Sequence, residues 1–336
     1  MTAPAGGGTL RFLGPGWFAA VMGLSGLSLA WVRAEPVLGD AAIGAALVCG
    51  ALAGLAFVVL AFLSVLRWLR HPEAVREDVR HPVRHVFFAA IPISVILLAT
   101  VIVALAGPLP VARGLWMAGA AAQFGVTLWV MGRWLRPKPA GGVVWGGITP
   151  AMLIPIVGNV VPALAGPQLG MTLWAAAQFG VGVIFWPVLV TLFAVRIGLE
   201  GLWPQRLLPT TFITVAPPAV IGLGLLQLGA PLLLAAAAWG VALFFLGWSA
   251  TVVRPMREQP FAIPFWALSF PLAAFSALTL RLGEQAGGLL QAAGVMALAL
   301  TSLVILTLAW STLQGLRAGS LLVPEPAPPQ PPAAAA

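Results

Sequence analysis

Long apolar runs alternate with short polar interruptions along the chain. About 20 apolar residues carry a helix across a bilayer. On that rule ten spans are predicted, at 12–32, 41–66, 86–106, 114–132, 146–165, 170–195, 209–229, 231–253, 261–282 and 287–314. Brief links pair them: Gly107 to Arg113, Gly166 to Leu169, Gly229-Ala230-Pro231, and Gly283 to Ala286. The longer links between pairs are the basic ones. The pattern predicts an all-α membrane protein of five helical hairpins. A transmembrane unit of 12–316 is flanked by an N-terminal stretch, 1–11, and by a Pro/Ala-rich tail, 317–336, expected to be disordered.

Composition and charge narrow the class. The chain is 60% hydrophobic and 8% charged, whereas a soluble domain is about 25% charged. Of seventeen Lys and Arg, Arg33, Arg113 and Arg281 fall on one side and the other fourteen on the opposite side. This split predicts cytoplasmic termini and an even number of spans. It also explains the net charge of +8 without any nucleic-acid partner. The first apolar stretch shows no cleavage-like site and reads as a retained helix. Every Asp and Glu falls in a loop, at a helix end or in the tail, and no carboxylate or histidine is expected at mid-membrane. A proton relay needs such a group, so a proton pump is disfavoured and the interior suits an anion. With one cysteine, Cys49, no haem-type His pair and no paired carboxylates, neither a cofactor nor an enzyme is expected. His81 and His85 are four residues apart, but the intervening Pro82 and the ligand count argue against a metal.

Prolines are unevenly placed. Pro92, Pro155, Pro162, Pro217, Pro218, Pro264 and Pro271 lie on odd-numbered spans, and only Pro187 on an even one. Proline removes an N–H and displaces a carbonyl. In hydrocarbon this is tolerated where protein or a water-filled cavity absorbs the defect. An inner ring of odd spans and an outer ring of even spans is therefore predicted. A heptapeptide, AAAQFGV, recurs at 120–126 and 175–181 on neighbouring even spans. Its Gln is expected to hydrogen-bond an adjacent helix.

The ninth predicted span places Phe270 and Pro271 near mid-membrane. A bulky ring beside a bend facing an interior space predicts a plug, which stops ions by bulk and by dewetting. Packing between helices is the alternative fate of a buried Phe. Pro92, Pro155, Pro217 and Pro271 are candidate pore-lining positions. Hydroxyls on the same spans, Ser25, Ser94, Thr100 and Ser269 among them, either replace water around an anion or bond their own helix backbone. Asn159 either donates to a passing anion or caps the kink near Pro155. Arg84, in the basic loop 67–85, and Arg281, at the opposite end of the ninth span, are candidate mouth charges that concentrate anions; topology and lipid contact are the alternative.

Several segments carry a resemblance: Gly16-Trp17-Phe18 through Gly23-Leu24 to Ala30-Trp31; His81-Pro82-Val83-Arg84 with Phe88 to Pro92; Pro150 to Asn159; Phe185 to Leu189; Pro204-Gln205; and Phe265 to Pro271. In their order and spacing the chain resembles a bacterial member of the family of tellurite-resistance TehA, slow-type anion channels and dicarboxylate transporters. The resemblance implies ten helices with quasi-fivefold hairpin symmetry around a central pore. It also implies a homotrimer with one pore per subunit in the bacterial inner membrane, and a phenylalanine block at Phe270. Chloride or nitrate passage is the leading expectation. A carrier or exporter of C4-dicarboxylates, sulfite or tellurite is the alternative.

Overall fold

Among the described residues, nine helices are long and apolar enough to cross a membrane. They belong to a computed structural model that describes residues 10–137 and 142–324. Residues 1–9, 138–141 and the tail from Glu325 lie outside the described residues. The helices are α1 (Pro15–Arg33), α2 (Asp40–Arg70), α3 (Arg84–Ala106), α4 (Pro110–Leu135), α5 (Thr172–Glu200), α6 (Gln205–Gln227), α7 (Leu232–Ala250), α8 (Ile263–Ala286) and α9 (Gly288–Arg317). Phe270 therefore sits on α8.

The fifth predicted span, 146–165, is not a continuous helix. It is a chain of short pieces, Trp145–Gly147, Pro150–Met152, Leu153–Val157 and Val161–Leu164, separated by turns. Pro150, Pro155 and Pro162 each lack an N–H, and Gly158 adds backbone freedom, so no long i→i−4 ladder forms. Residues 147–163 are nonetheless buried throughout. The link expected at Gly283 to Ala286 is helical instead, because α8 runs to Ala286 and the turn is made by Gly287 at φ +64°.

Burial sorts the helices into two layers. In α1, α3, α6 and α8 between 61% and 94% of the apolar stretch is buried; in α2, α4, α5, α7 and α9 the range is 17% to 33%. The inner elements close a ring through the contact sequence α1–α3–broken segment–α6–α8–α1. Each outer helix packs chiefly on the inner element that precedes it in the chain. The exposed faces of the outer helices carry large apolar side chains such as Leu55, Phe62, Leu173, Phe244 and Leu303, as lipid contact requires. The turns from inner to outer element each hold a glycine in left-handed backbone: Gly39, Gly107, Gly170, Gly229 and Gly287. An L side chain there would press Cβ on the following carbonyl.

On the inner elements the prolines fall near the junction of a 3₁₀ stretch and an α-helix. Each of these elements begins as a 3₁₀ stretch and converts to α-helix. Pro92, Pro155 and Pro271 are the third residue of their α portions, and Pro217 the second. An N–H at such a position has no α-helical partner, so its loss is cheap.

The two heptapeptide glutamines both reach a neighbour. Gln178 Nε2 donates to Ala120 O at 2.7 Å, joining the second copy to the first. Gln123 Nε2 donates to Pro155 O at 2.9 Å. Asn159 N–H bonds Ile156 O instead of Pro155 O, so Pro155 O has lost its usual helical donor. Thr127 Oγ1 at 2.9 Å and Asn159 Nδ2 at 2.8 Å complete its replacement. The break in the fifth segment is thus stitched to α4 by side chains.

Candidate functional site

The axis of the inner ring holds a cavity of 230 Å³ at one end of the bundle. All five inner elements contribute to it. Leu29, Val32 and Arg33 come from α1; Thr100, Val103 and Ala104 from α3; Leu164 and Gln168 from the broken segment and the turn after it; Leu223 and Gln227 from α6; and Ala277 from α8.

Seven residues make two helical turns, less about 20°, and about 10 Å of rise. A residue seven positions earlier therefore lies below the cavity on the same helix face. On α8 the residue below Ala277 is Phe270. On α1 Met22, Ser25 and Gly26 lie below Leu29, Val32 and Arg33. On α3 Ile93, Ile96 and Leu97 lie below Thr100, Val103 and Ala104. On α6 Ala216 and Val220 lie below Leu223 and Gln227. All of these are buried. The layer beneath the cavity is therefore closed and almost wholly apolar. Stripping water from an ion to cross it costs far more than thermal energy.

Phe270 is fixed by its neighbours. A Cβ placed on Gly26 would lie 3.0 Å from Phe270 Cδ2 and 3.1 Å from Ala273 Cβ. Glycine at 26 is what lets the phenyl edge lie against α1. Ser25 is the one polar residue in the layer, fully buried, and its Oγ has no hydrogen-bond partner.

The other predicted lining residues are turned away from this face or already engaged. Ser94 Oγ donates to Ala90 O at 2.7 Å. Ser269 Oγ donates to Trp266 O at 2.6 Å and is wedged against Gly23 of α1. Asn159 Nδ2 donates to Thr127 Oγ1 at 2.7 Å as well as to Pro155 O, so its amide faces α4 and serves the break. The backbone of Pro92 approaches Gly119 of α4, and that of Pro155 takes the α4 donors. Pro271 is turned by one residue, about 100°, from Phe270. Pro217 stands one residue from Ala216 in the same way. These prolines stand at the starts of the α portions of the inner elements.

The mouth charges are also partnered. Arg281 pairs with Glu284. At the other end of the bundle Arg84 Nη1 lies 3.0 Å from Asp78 Oδ1, and Arg67 Nη2 lies 2.7 Å from Asp78 Oδ2. Arg67 Nε donates to Arg11 O at 2.9 Å. This cluster, with Asp78 and Arg67 buried, ties helix Pro72–Arg80 and the chain before α1 to the end of α2. His81 Nδ1 accepts from the N–H groups of Val83 and Arg84 at 3.1 Å, capping the start of α3. His85 Nδ1 lies 2.9 Å from His81 O. No group of three metal-ligating side chains occurs among the described residues.

The residues that sequence reasoning missed are Arg33, Gln168 and Gln227 at the cavity, and Gly26, Ile93, Leu97 and Val220 below it. Their signal was available only as a seven-residue offset from the cavity lining, which needs the cavity to be known first.

A profile of the SLAC1 family, described as voltage-dependent anion channel, matches residues 13–314. The chain is 27% identical over 220 residues to the S-type anion channel SLAH2 of Arabidopsis thaliana, covering 64% of this chain but only 41% of the plant protein. It is 24% identical over 311 residues to the sulfite efflux pump SSU1 of Trichophyton rubrum, covering 81% and 82% of the two chains. It is 26% identical over 312 residues to a tellurite resistance protein TehA homolog of Haemophilus influenzae, covering 92% of each.

Proposed function

The chain belongs to the SLAC1 family of voltage-dependent anion channels, and from that premise we propose that it forms a membrane pore for small inorganic anions, chloride and nitrate, closed by Phe270. Five inner elements surround the conduit, each backed by an outer helix, and the broken fifth segment completes a tenth crossing in a quasi-fivefold arrangement. The observation that carries the reading is the position of Phe270. It lies two turns below a cavity to which all five inner elements contribute, on the same face of α8 as the cavity-lining Ala277. The ring is packed among apolar neighbours, so the conduit is shut. The positive edge of a phenyl ring is less hostile to an anion than to a cation when the ring parts.

The test is current across a planar bilayer containing the purified protein. Phe270→Ala is expected to raise chloride and nitrate current at least tenfold over wild type, with cations impermeant. Wild-type current in a folded Phe270→Ala protein would sink the gate.

The relatives named as sulfite efflux pumps support a second reading, a carrier with the same architecture. It predicts saturable, substrate-specific flux in liposomes and no large unitary currents from Phe270→Ala. We further read the protein as a homotrimer with cytoplasmic termini in a bacterial inner membrane. Light scattering of the detergent complex tests the first, and protease protection of tagged termini in vesicles the second.

A further inference from the structure

We infer that an anionic phospholipid docks on the lipid-facing side of the bundle, its acyl chain along α7 and its phosphate on the guanidinium of Arg196. Arg196 lies near the end of α5, at the end of the bundle opposite the cavity, and is 4% exposed. Its Nη1 donates to Gly201 O. Its Nε is buried without a partner, and among the described residues no carboxylate pairs with it. Glu200 stands one turn further along the same helix, but it is exposed and makes no ion pair with Arg196. The carbonyl end of α5 offsets part of the charge. A full positive charge beside one neutral acceptor still lacks its counterpart, and a buried charge left unpaired is strongly unfavourable.

Neighbouring elements supply the rest of the site. Ile197 of α5, Trp248 of α7 and Val253 of the short helix Val253–Arg257 pack on one apolar cluster that holds Trp203 and Met256. Gln259 Nε2 donates to Gln205 Oε1 at 3.0 Å and ties the two loops of this corner together. Arg254 and Arg257 of the short helix are exposed, and Arg206 already has a partner. Against Glu200 and Glu258, the acids of this corner, the arginines leave a positive excess. From here an open groove of 500 Å³ runs along α7, lined by Gly240, Leu243, Phe244, Gly247, Trp248 and Thr251. A Cβ on Gly240 or Gly247 would meet nothing within 4 Å, so glycine at each keeps the groove deep. From Gly240 to Thr251 a helix rises about 16 Å, roughly the depth of one leaflet of a ~30 Å hydrocarbon core. The groove therefore fits an acyl chain whose headgroup meets the arginines. With Nη1 engaged, Arg196 keeps its Nε–Nη2 edge, whose two parallel N–H groups fit two phosphate oxygens. A zwitterionic lipid brings the same phosphate with an ammonium that the positive excess repels.

The test is native mass spectrometry and thermal melting of the purified full-length protein in detergent, with dioleoylphosphatidylglycerol, dioleoylphosphatidylcholine or inorganic phosphate added. Wild type is expected to hold phosphatidylglycerol at least tenfold more tightly than phosphatidylcholine and to melt several degrees higher with it. Arg196→Gln should abolish both differences. Should Arg196→Gln fail to fold, Gly247→Leu, which fills the groove, and the surface variant Arg254→Gln/Arg257→Gln should each weaken phosphatidylglycerol retention several-fold. Arg70→Gln, at an exposed arginine of α2, should leave retention unchanged, and Glu200→Gln should leave melting in phosphatidylcholine unchanged. Retention undiminished in Arg196→Gln, or diminished equally in Arg70→Gln, overturns the site. So does inorganic phosphate that stabilises as well as phosphatidylglycerol, which would make the ligand a free anion. Glu200→Gln melting as low as Arg196→Gln in phosphatidylcholine would make Glu200 the counter-ion and overturn it too. A Gly247→Leu protein of altered oligomeric mass that still holds phosphatidylglycerol would give the groove to a second copy of the chain and overturn the docking.

Discussion

Gly26 of α1 and Phe270 of α8 share one space: the phenyl edge fills the volume that a side chain at position 26 would occupy, 3.0 Å from the site of its Cβ. Contact that tight obliges the neighbour to give by a few tenths of an ångström. Gly26→Ala is therefore expected to displace the ring and raise basal anion current several-fold. In the Phe270→Ala background the same substitution should add nothing, because the ring it displaces is gone. Residues in contact are non-additive in this way. Additive effects in bilayer recordings would show that Gly26 acts elsewhere.

Ser25 offers the one hydroxyl in the apolar layer, with no partner to satisfy it. Once Phe270 is removed, that hydroxyl is free to donate to a passing anion. In Phe270→Ala channels, Ser25→Ala should lower unitary anion conductance several-fold and Ser25→Thr should preserve it. Equal conductance in all three would remove Ser25 from the path.

Asp78 is 1% exposed and lies between Arg67, 6% exposed, and Arg84, 36% exposed. Removing its charge leaves a buried guanidinium uncompensated, a loss of about 3 kcal/mol or more. Asp78→Asn should lower the melting temperature of the purified protein by several degrees. Wild-type melting would show that the triad is not structural. Arg84 is held in this triad, so Arg84→Gln should alter stability more than it alters the anion concentration giving half-maximal current.

Gln123 replaces a backbone donor lost at Pro155. Gln123→Leu removes one donor from a buried carbonyl that keeps the Asn159 amide and should cost about 1 kcal/mol, read as a lower melting temperature with ion selectivity unchanged. A larger effect is expected for Gly158→Ala, whose Cβ would collide with the Gln123 amide. A thermally neutral Gly158→Ala would mean that the break is not held by this stitch.

Nine of the apolar segments, as helices long enough to cross a membrane, and the separation of more buried from less buried elements were legible as sequence. Their causes are local: twenty apolar residues match a bilayer, and proline is tolerated where protein surrounds it. The heptapeptide glutamines were legible for the same reason, since a lone amide in hydrocarbon must find a carbonyl on a neighbour. The break at 146–165 was half legible. Pro155 and Pro162 marked the segment as an inner one, but the sequence reading made it a continuous span, and its breaking inside the bundle depended on donors from α4. The face that each inner helix turns to the axis was not legible at all. These helices are buried on nearly every side, apolar all round, so no polar stripe marks one direction. Rotation and depth are fixed only when the ring closes and each side chain finds its hole. Closure alone set Phe270 against Gly26, engaged Ser94, Ser269 and Asn159 with backbone partners, and brought Arg33, an ordinary last-turn arginine by sequence, into the cavity lining.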